Sequence, residues 1–218
     1  MSLTFYYGAG SPYAWRVWLA LEHKSLEYAF KLMSFSDGDL KTPKFAALNP
    51  RRKVPVLVDA RGGDAFSLYE SAAILEYLDD AYPDSGLPLF PGDARARARV
   101  RRMVCEADNY VVPALDRLVA RTLFTPEANW NGEKIAAARD ELALECAVWA
   151  QQLRGDFLAG PLSAADFTLY PMLALALRCE KKRPDLAFAR AIPAPLGSWM
   201  RRVEALPCCA KTWPAHWK

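Results

Sequence analysis

The chain has 218 residues, 52% hydrophobic and 24% charged, a globular composition with length for one large domain or two small ones. Its 28 basic and 25 acidic side chains leave a net charge of +3, too balanced to argue for nucleic acid as a partner. No apolar run approaches the ~18 residues that a membrane span needs. The opening "MSLTFYYG" lacks the basic and long apolar regions of a signal peptide, so a cytoplasmic protein is expected. Cys105, Cys146, Cys179, Cys208 and Cys209 follow no framework spacing, and the histidines are His23 and His216. Reduced thiols and no metal site are the expectation.

Taken in chain order, the first eighty residues alternate strand and helix signals. Leu3 to Tyr7 is a short β-prone run, followed by a helical pattern over Pro12 to Lys24 with Trp15, Trp18, Leu19 and Ala20 spaced for a buried face. Tyr28 to Met33 reads as a second strand, and Pro43 to Leu48 as a short helix. Val56–Val58 and Ala65–Leu68 form a hairpin pattern across Arg61-Gly62-Gly63-Asp64. Ser71 to Tyr82 reads as a helix, which completes the order β-α-β-α-β-β-α.

Composition then shifts. Pro83 to Asp93, "PDSGLPLFPGD", is rich in proline and glycine and reads as a linker. Beyond it strand signals vanish. Val100, Met103, Val104, Ala107, Val111, Leu115 and Leu118 recur at helical steps over one long helix, and Ile135, Ala138, Leu142, Trp149 and Leu153 do so in the next. The expected division is an α/β domain over residues 1–83, a linker over 84–93 and an all-α helical bundle over 94–218.

Three short stretches carry possible chemistry. In "GSPYAWRV", Ser11-Pro12 opens a helix, so Ser11 is either a plain N-cap or a reactive hydroxyl; spacing leaves both open. In "RRKVPVLVD", Pro55 at a strand entry is compatible with a cis Val54-Pro55 bond that would turn the Val54 backbone groups outward, with Lys53 just before. In "SLYESAAILEYL", Glu70-Ser71 sits at a strand-to-helix junction, where free backbone N–H groups favour a carboxylate. Converging at one sheet edge, these would suit a small peptide with a free amine and carboxylates. The arginines of "RARARVRR", Arg95 to Arg102, spread over more than one helix face and read as a solvated or dimer-facing surface. Tyr110, Trp199 and Trp213 are candidates for an apolar pocket, with core packing the simpler reading of each.

With "SPYAWRVWLALEHKSLEY", "KFAALNPRRKVPVL", "YESAAILEYLDDAYP" and the Ser163-x-x-Asp166 capping box of "GPLSAADFTLYP", the whole chain resembles the cytosolic glutathione transferases of serine type. The resemblance implies a thioredoxin-like first domain that binds glutathione and a helical second domain that binds a small hydrophobic electrophile. It implies that Ser11 donates to the glutathione sulfur, with Tyr7 as the alternative donor. Lys41 and Lys53 would meet the glycine end, Val54 the cysteinyl unit through its backbone, and Glu70 and Ser71 the γ-glutamyl end. Pro55 would be the structural cis proline. Glutathione is the implied co-substrate, without metal, and a homodimer the implied assembly. Ser11-Pro12-Tyr13 departs from the Ser-Ser-Cys of zeta members, which argues against their isomerisation. No cysteine precedes Cys105, so cysteine-type thiol-disulfide chemistry at this turn is excluded. A non-catalytic binder of glutathione or apolar ligands, and a glutathione-dependent isomerase or dehalogenase, share the residues named here.

Overall fold

The structure is a computed structural model that describes residues 2–217. It divides into two compact units, one of Met1–Phe90 with Pro207–Lys218 and one of Pro91–Leu206. The first unit holds β1 (Leu3–Gly8), α1 (Pro12–His23), β2 (Tyr28–Met33), α2 (Pro43–Leu48), β3 (Val56–Asp59), β4 (Phe66–Tyr69) and α3 (Ser71–Ala81). The strands form one sheet in the order β2-β1-β3-β4. β1 runs parallel to β2, from Leu3 opposite Tyr28, and antiparallel to β3, with Tyr6 opposite Val56. β3 and β4 are an antiparallel hairpin, Val56 opposite Tyr69. This is a mixed thioredoxin-like sheet, with the parallel pair joined through α1 as such a connection requires.

Side-chain alternation decides which face is covered. Leu3, Phe5 and Tyr7 of β1 are buried on one face, while Tyr6 on the other meets the Phe45 ring of α2 at 6.0 Å. α1 packs against α3, and Val17, Leu19 and Ala20 of α1 and Ile74, Leu75 and Leu78 of α3 are all buried. The hairpin strand expected at Ala65–Leu68 lies one residue later, and Tyr82 falls outside α3. Tyr77 and Tyr82 each donate a hydroxyl hydrogen bond to Asp59 Oδ2, at 2.7 and 2.8 Å, tying α3 to the end of β3. The proline-rich stretch is no loose tether: Leu89 and Phe90 are buried, and their N–H groups donate to Asp79 at 2.7 and 3.2 Å.

The second unit is helical: α4 (Ala94–Glu106), α5 (Val112–Thr122), α6 (Gly132–Gln152), α7 (Ala164–Lys182), α8 (Phe188–Ala191) and α9 (Ala194–Glu204). The single long helix expected from Val100 to Leu118 is interrupted by a π turn over Ala107–Val111. Pro113, at the start of α5, has no N–H for the ladder, so the hydrogen-bond register shifts there. The capping box of α7 is present and fully buried. Asp166 accepts from the Ser163 N–H at 2.9 Å, the Leu158 N–H at 2.9 Å and Trp199 Nε1 at 2.8 Å. Among the described residues no helix is long and apolar enough to cross a membrane. The final helix, α10 (Pro207–Thr212), packs on α1 and belongs to the first unit, whereas the helical domain expected from the sequence ran on to residue 218.

Candidate functional site

The site lies within the first unit and starts at the turn between β1 and α1. Gly10 adopts φ +82°, and the Ser11 N–H donates back to the Gly8 carbonyl at 3.1 Å. Ser11 is the N-cap of α1, its Oγ accepting from the Ala14 N–H at 3.2 Å. A serine hydroxyl has two lone pairs and one hydrogen, so this cap leaves the O–H available as a donor at a helix N-terminus. Cap and reactive hydroxyl are compatible in one residue. Tyr7, just upstream, is buried among aromatic rings and accepts the Gly10 N–H at 3.4 Å. Burial raises its phenol above the usual range, and the Gly10 bond offsets this only in part.

A cavity of about 590 Å³ is lined by Tyr13, Asn49, Arg51, Lys53, Val54, Pro55, Tyr69, Glu70 and Ser71. Buried Asn49 shapes one wall: its Nδ2 donates to the Lys53 carbonyl at 2.7 Å and its Oδ1 accepts from the Arg51 N–H at 2.9 Å. The Val54-Pro55 peptide is cis, the form the family resemblance implied for Pro55. Among the described residues no loop or cap hydrogen bond engages the Val54 peptide groups. Peptide groups without a protein partner at a cavity wall are available to a ligand.

The opposite wall is the β4–α3 junction. Glu70 has φ 68° and ψ 103°, a conformation that costs a non-glycine residue about 1–3 kcal/mol. It is the N-cap residue of α3, and its side chain makes no capping bond, so the first amides of the helix stay open. Ser71, buried beside it, accepts a hydrogen bond from Arg16 Nε at 2.8 Å. That bond occupies an acceptor site and leaves the Ser71 hydrogen to donate. The cavity therefore has cationic Arg51 and Lys53 in one wall. In another it has a hydroxyl donor and helix amides beside the Glu70 carboxylate. Such a slot suits an extended molecule with carboxylates at its ends and an amine.

The family described as "Glutathione S-transferase, N-terminal domain" matches residues 10–81, which contain every cavity residue. Glutathione S-transferase 3 of Zea mays is 30% identical over 208 residues, covering 93% of this chain and 89% of that one. A probable maleylacetoacetate isomerase of Caenorhabditis elegans is 30% identical, covering 77% of this chain and 76% of that one. The chain belongs to the glutathione S-transferase family. Its fold overlays a glutathione S-transferase of the clam Laternula elliptica with a TM-score of 0.81 at 28% identity, covering 100% of this chain and 94% of that one. A glutathione transferase of Burkholderia graminis, solved with two glutathione molecules bound per subunit, overlays at 0.84 with 26% identity, covering 96% and 86%.

In this family member the expected site residues separate. Lys53, Val54, Pro55, Glu70 and Ser71 line one cavity. Ser11 caps α1 outside that lining, two residues before Tyr13, which is within it. Lys41 does not join them: it is exposed, at the end of a 3₁₀ turn over Asp39–Lys41. Trp199 is fully buried in the core of the second unit, Tyr110 is 61% exposed, and Trp213 packs edge-on against Trp15 at 5.5 Å. Arg16, Asn49, Arg51, Tyr13 and Tyr69 were not anticipated. Arg16 carried a signal, a charge inside the apolar run "AWRVWLAL", since a buried arginine needs a partner. Asn49-Pro50 likewise marked a turn whose side chain bonds its own backbone.

Proposed function

We propose that this chain binds glutathione along the cavity between Lys53 and Ser71, and that Ser11 stabilises its thiolate. The supporting observation is the Ser11 hydroxyl, which accepts from Ala14 and keeps its hydrogen to donate at the α1 N-terminus. Lowering a bound thiol by about 2 pKa units takes ~2.7 kcal/mol. One charge-assisted hydrogen bond at a helix N-terminus is of that order. Val54 would pair with the cysteinyl unit, Lys53 with the glycyl carboxylate, and Glu70 and Ser71 with the γ-glutamyl amine and carboxylate. Arg51 extends the cationic wall. Lys41, exposed and outside the cavity, keeps only a peripheral part in this scheme.

The reaction is glutathione transfer. The thiol proton leaves to solvent, and a sulfur–carbon bond forms at the electrophilic carbon. The leaving group departs with its electron pair; where a strained ring opens instead, the pair stays on its oxygen and takes a proton from water. Positioning and activation of the nucleophile are the protein's contribution. The helical domain is proposed to bind the apolar body of the electrophile. A cytoplasmic homodimer is the form in which such a chain would work. Calorimetry with glutathione tests the first step. Conjugation or isomerisation of aryl halides, epoxides, isothiocyanates and maleyl substrates, with and without glutathione, tests the second. Glutathione binding with no turnover of any class would leave a binding protein in place of an enzyme.

A further inference from the structure

Residues 207–217 are built into the first unit. Trp15 Nε1 donates to Thr212 Oγ1 at 2.9 Å with both side chains buried. Trp213 and Trp217 meet the Trp15 ring edge-on, with centroids at 5.5 and 5.3 Å. Trp217, only 5% exposed, donates from Nε1 to His216 Nε2 at 3.0 Å, which places the imidazole proton on Nδ1. This pair rests on Gly10. A Cβ there would lie 2.9 Å from His216 Nε2 and 3.4 Å from Trp217 Nε1. On Gly8, at the other side of the turn, a Cβ would lie 2.5 Å from Phe35 Cζ and 2.7 Å from Val54 Cγ2. The turn that carries Ser11 is thus held between Phe35 and Val54 on one side and His216 and Trp217 on the other.

We propose that His216 and Trp217 are positioning residues for Ser11, a clasp that keeps the Gly10 turn in its left-handed conformation and so aims the hydroxyl. The proposal rests on the reading of Ser11 as the thiolate donor. Glycine visits many backbone wells at little cost, so a turn with Gly8 and Gly10 would be loose unless packing restricts it. A hydroxyl that must donate to one sulfur tolerates only about 0.5 Å of error. Trp217 supplies the anchor through its contact with Trp15, and His216 transmits it to Gly10. Because the clasp bears on the Ser11 side of the site, it should govern activation of the thiol rather than capture of the tripeptide.

The test uses the full chain with His216→Ala, His216→Gln and Trp217→Phe; the phenylalanine keeps a ring but removes the donor. Amide hydrogen exchange over residues 10–15 reads the clasp directly. Thiolate absorbance of bound glutathione against pH, with kcat and the glutathione KM, reads its consequence. For His216→Ala and Trp217→Phe we expect faster exchange, a thiol titration moved upward, and kcat lower by about tenfold with KM changed less than ~threefold. His216→Gln, whose amide oxygen accepts the Trp217 N–H, should restore all of these. Unchanged exchange would overturn the clasp. Faster exchange with unaltered titration and kcat would overturn the positioning role. A wild-type chain that fails to bind glutathione, or a Ser11→Ala chain that titrates like wild type, would sink the Ser11 reading itself and the positioning role with it.

Discussion

Arg16 and Ser71, 55 residues apart in the chain, meet through a 2.8 Å hydrogen bond in which the guanidinium Nε donates to the serine Oγ. Both residues are buried, at 2% and 4% exposure, and Ser71 is the first residue of α3. The bond holds the Ser71 rotamer and occupies an acceptor site of the hydroxyl, which leaves its hydrogen to donate. A positive charge behind an open helix N-terminus also favours an anion in front of it.

Removing either the hydroxyl or the neighbouring carboxylate should therefore weaken glutathione binding through its γ-glutamyl end. Ser71→Ala and Glu70→Ala are each expected to cost roughly 1–3 kcal/mol of binding free energy. Calorimetry with glutathione and with an analogue lacking the γ-glutamyl unit checks this. Equal losses for both ligands would remove Glu70 and Ser71 from that end. Arg16→Lys keeps a charge but loses the Nε fork, so it should fall between wild type and Ser71→Ala.

Ser11→Ala should raise the pKa of bound glutathione and lower the conjugation rate by about 10²-fold. Loss of the cap bond to Ala14 adds about 1 kcal/mol of destabilisation, small enough to leave the fold intact. The comparison is Tyr7→Phe, which keeps the ring in its aromatic cluster and removes only the hydroxyl. Thiolate absorbance near ~240 nm against pH separates the two residues, since the donor to the sulfur is the one whose loss moves the titration. A shift in Tyr7→Phe alone would transfer the role to Tyr7.

Asp166 links stability to pH. Burial pushes its carboxyl up from 3.8 to about 6, opposed by hydrogen bonds from Leu158, Trp199 and Ser163. Between those values the native state holds a proton that the unfolded chain has released. This group's share of the stability is therefore greatest below pH 3.8, falls as pH rises, and is flat above about 6. Asp166→Asn should flatten that part of the curve. It should also cost about 3–5 kcal/mol, because an amide nitrogen would face donors and leave buried N–H groups unpaired. Urea unfolding at a series of pH values measures both; a wild-type profile rising across this window would contradict the sign.

The assembly is expected to be a homodimer of about 49 kDa, twice the 24.4 kDa chain. In the second unit Arg95, Arg99, Arg102 and Arg154 line a cleft of about 550 Å³, while Arg97 and Arg101 of α4 lie outside that lining. A two-fold contact would use such a surface twice. Ion pairs alone are weak, so Arg95→Glu with Arg99→Glu should raise the dimer dissociation constant severalfold to tenfold rather than abolish pairing. Sedimentation velocity at micromolar concentration measures it. A monomer that turns over substrate would remove the dimer and leave the enzyme standing.

The order of strands and helices was legible in the sequence by itself, because each element is written in a local signal: a β-prone run in Leu3–Tyr7, apolar steps in Ser71–Leu78, and Ser163-x-x-Asp166 at the head of a helix. The Ser11 cap was legible for the same reason, being a matter of neighbouring residues, whereas at Val54-Pro55 the strand-entry proline by itself left cis and trans both open. Pro113 held the signal for the π turn, although the run of apolar steps overrode it. Tertiary structure alone decided the rest. It paired Arg16 with Ser71, turned Lys41 out to solvent, gathered Arg95, Arg99 and Arg154 in one cleft, and returned Thr212 to Trp15 across 197 residues. Those contacts join segments that share no window of sequence. They form because a buried guanidinium, indole N–H or hydroxyl must find a partner wherever folding brings one within reach.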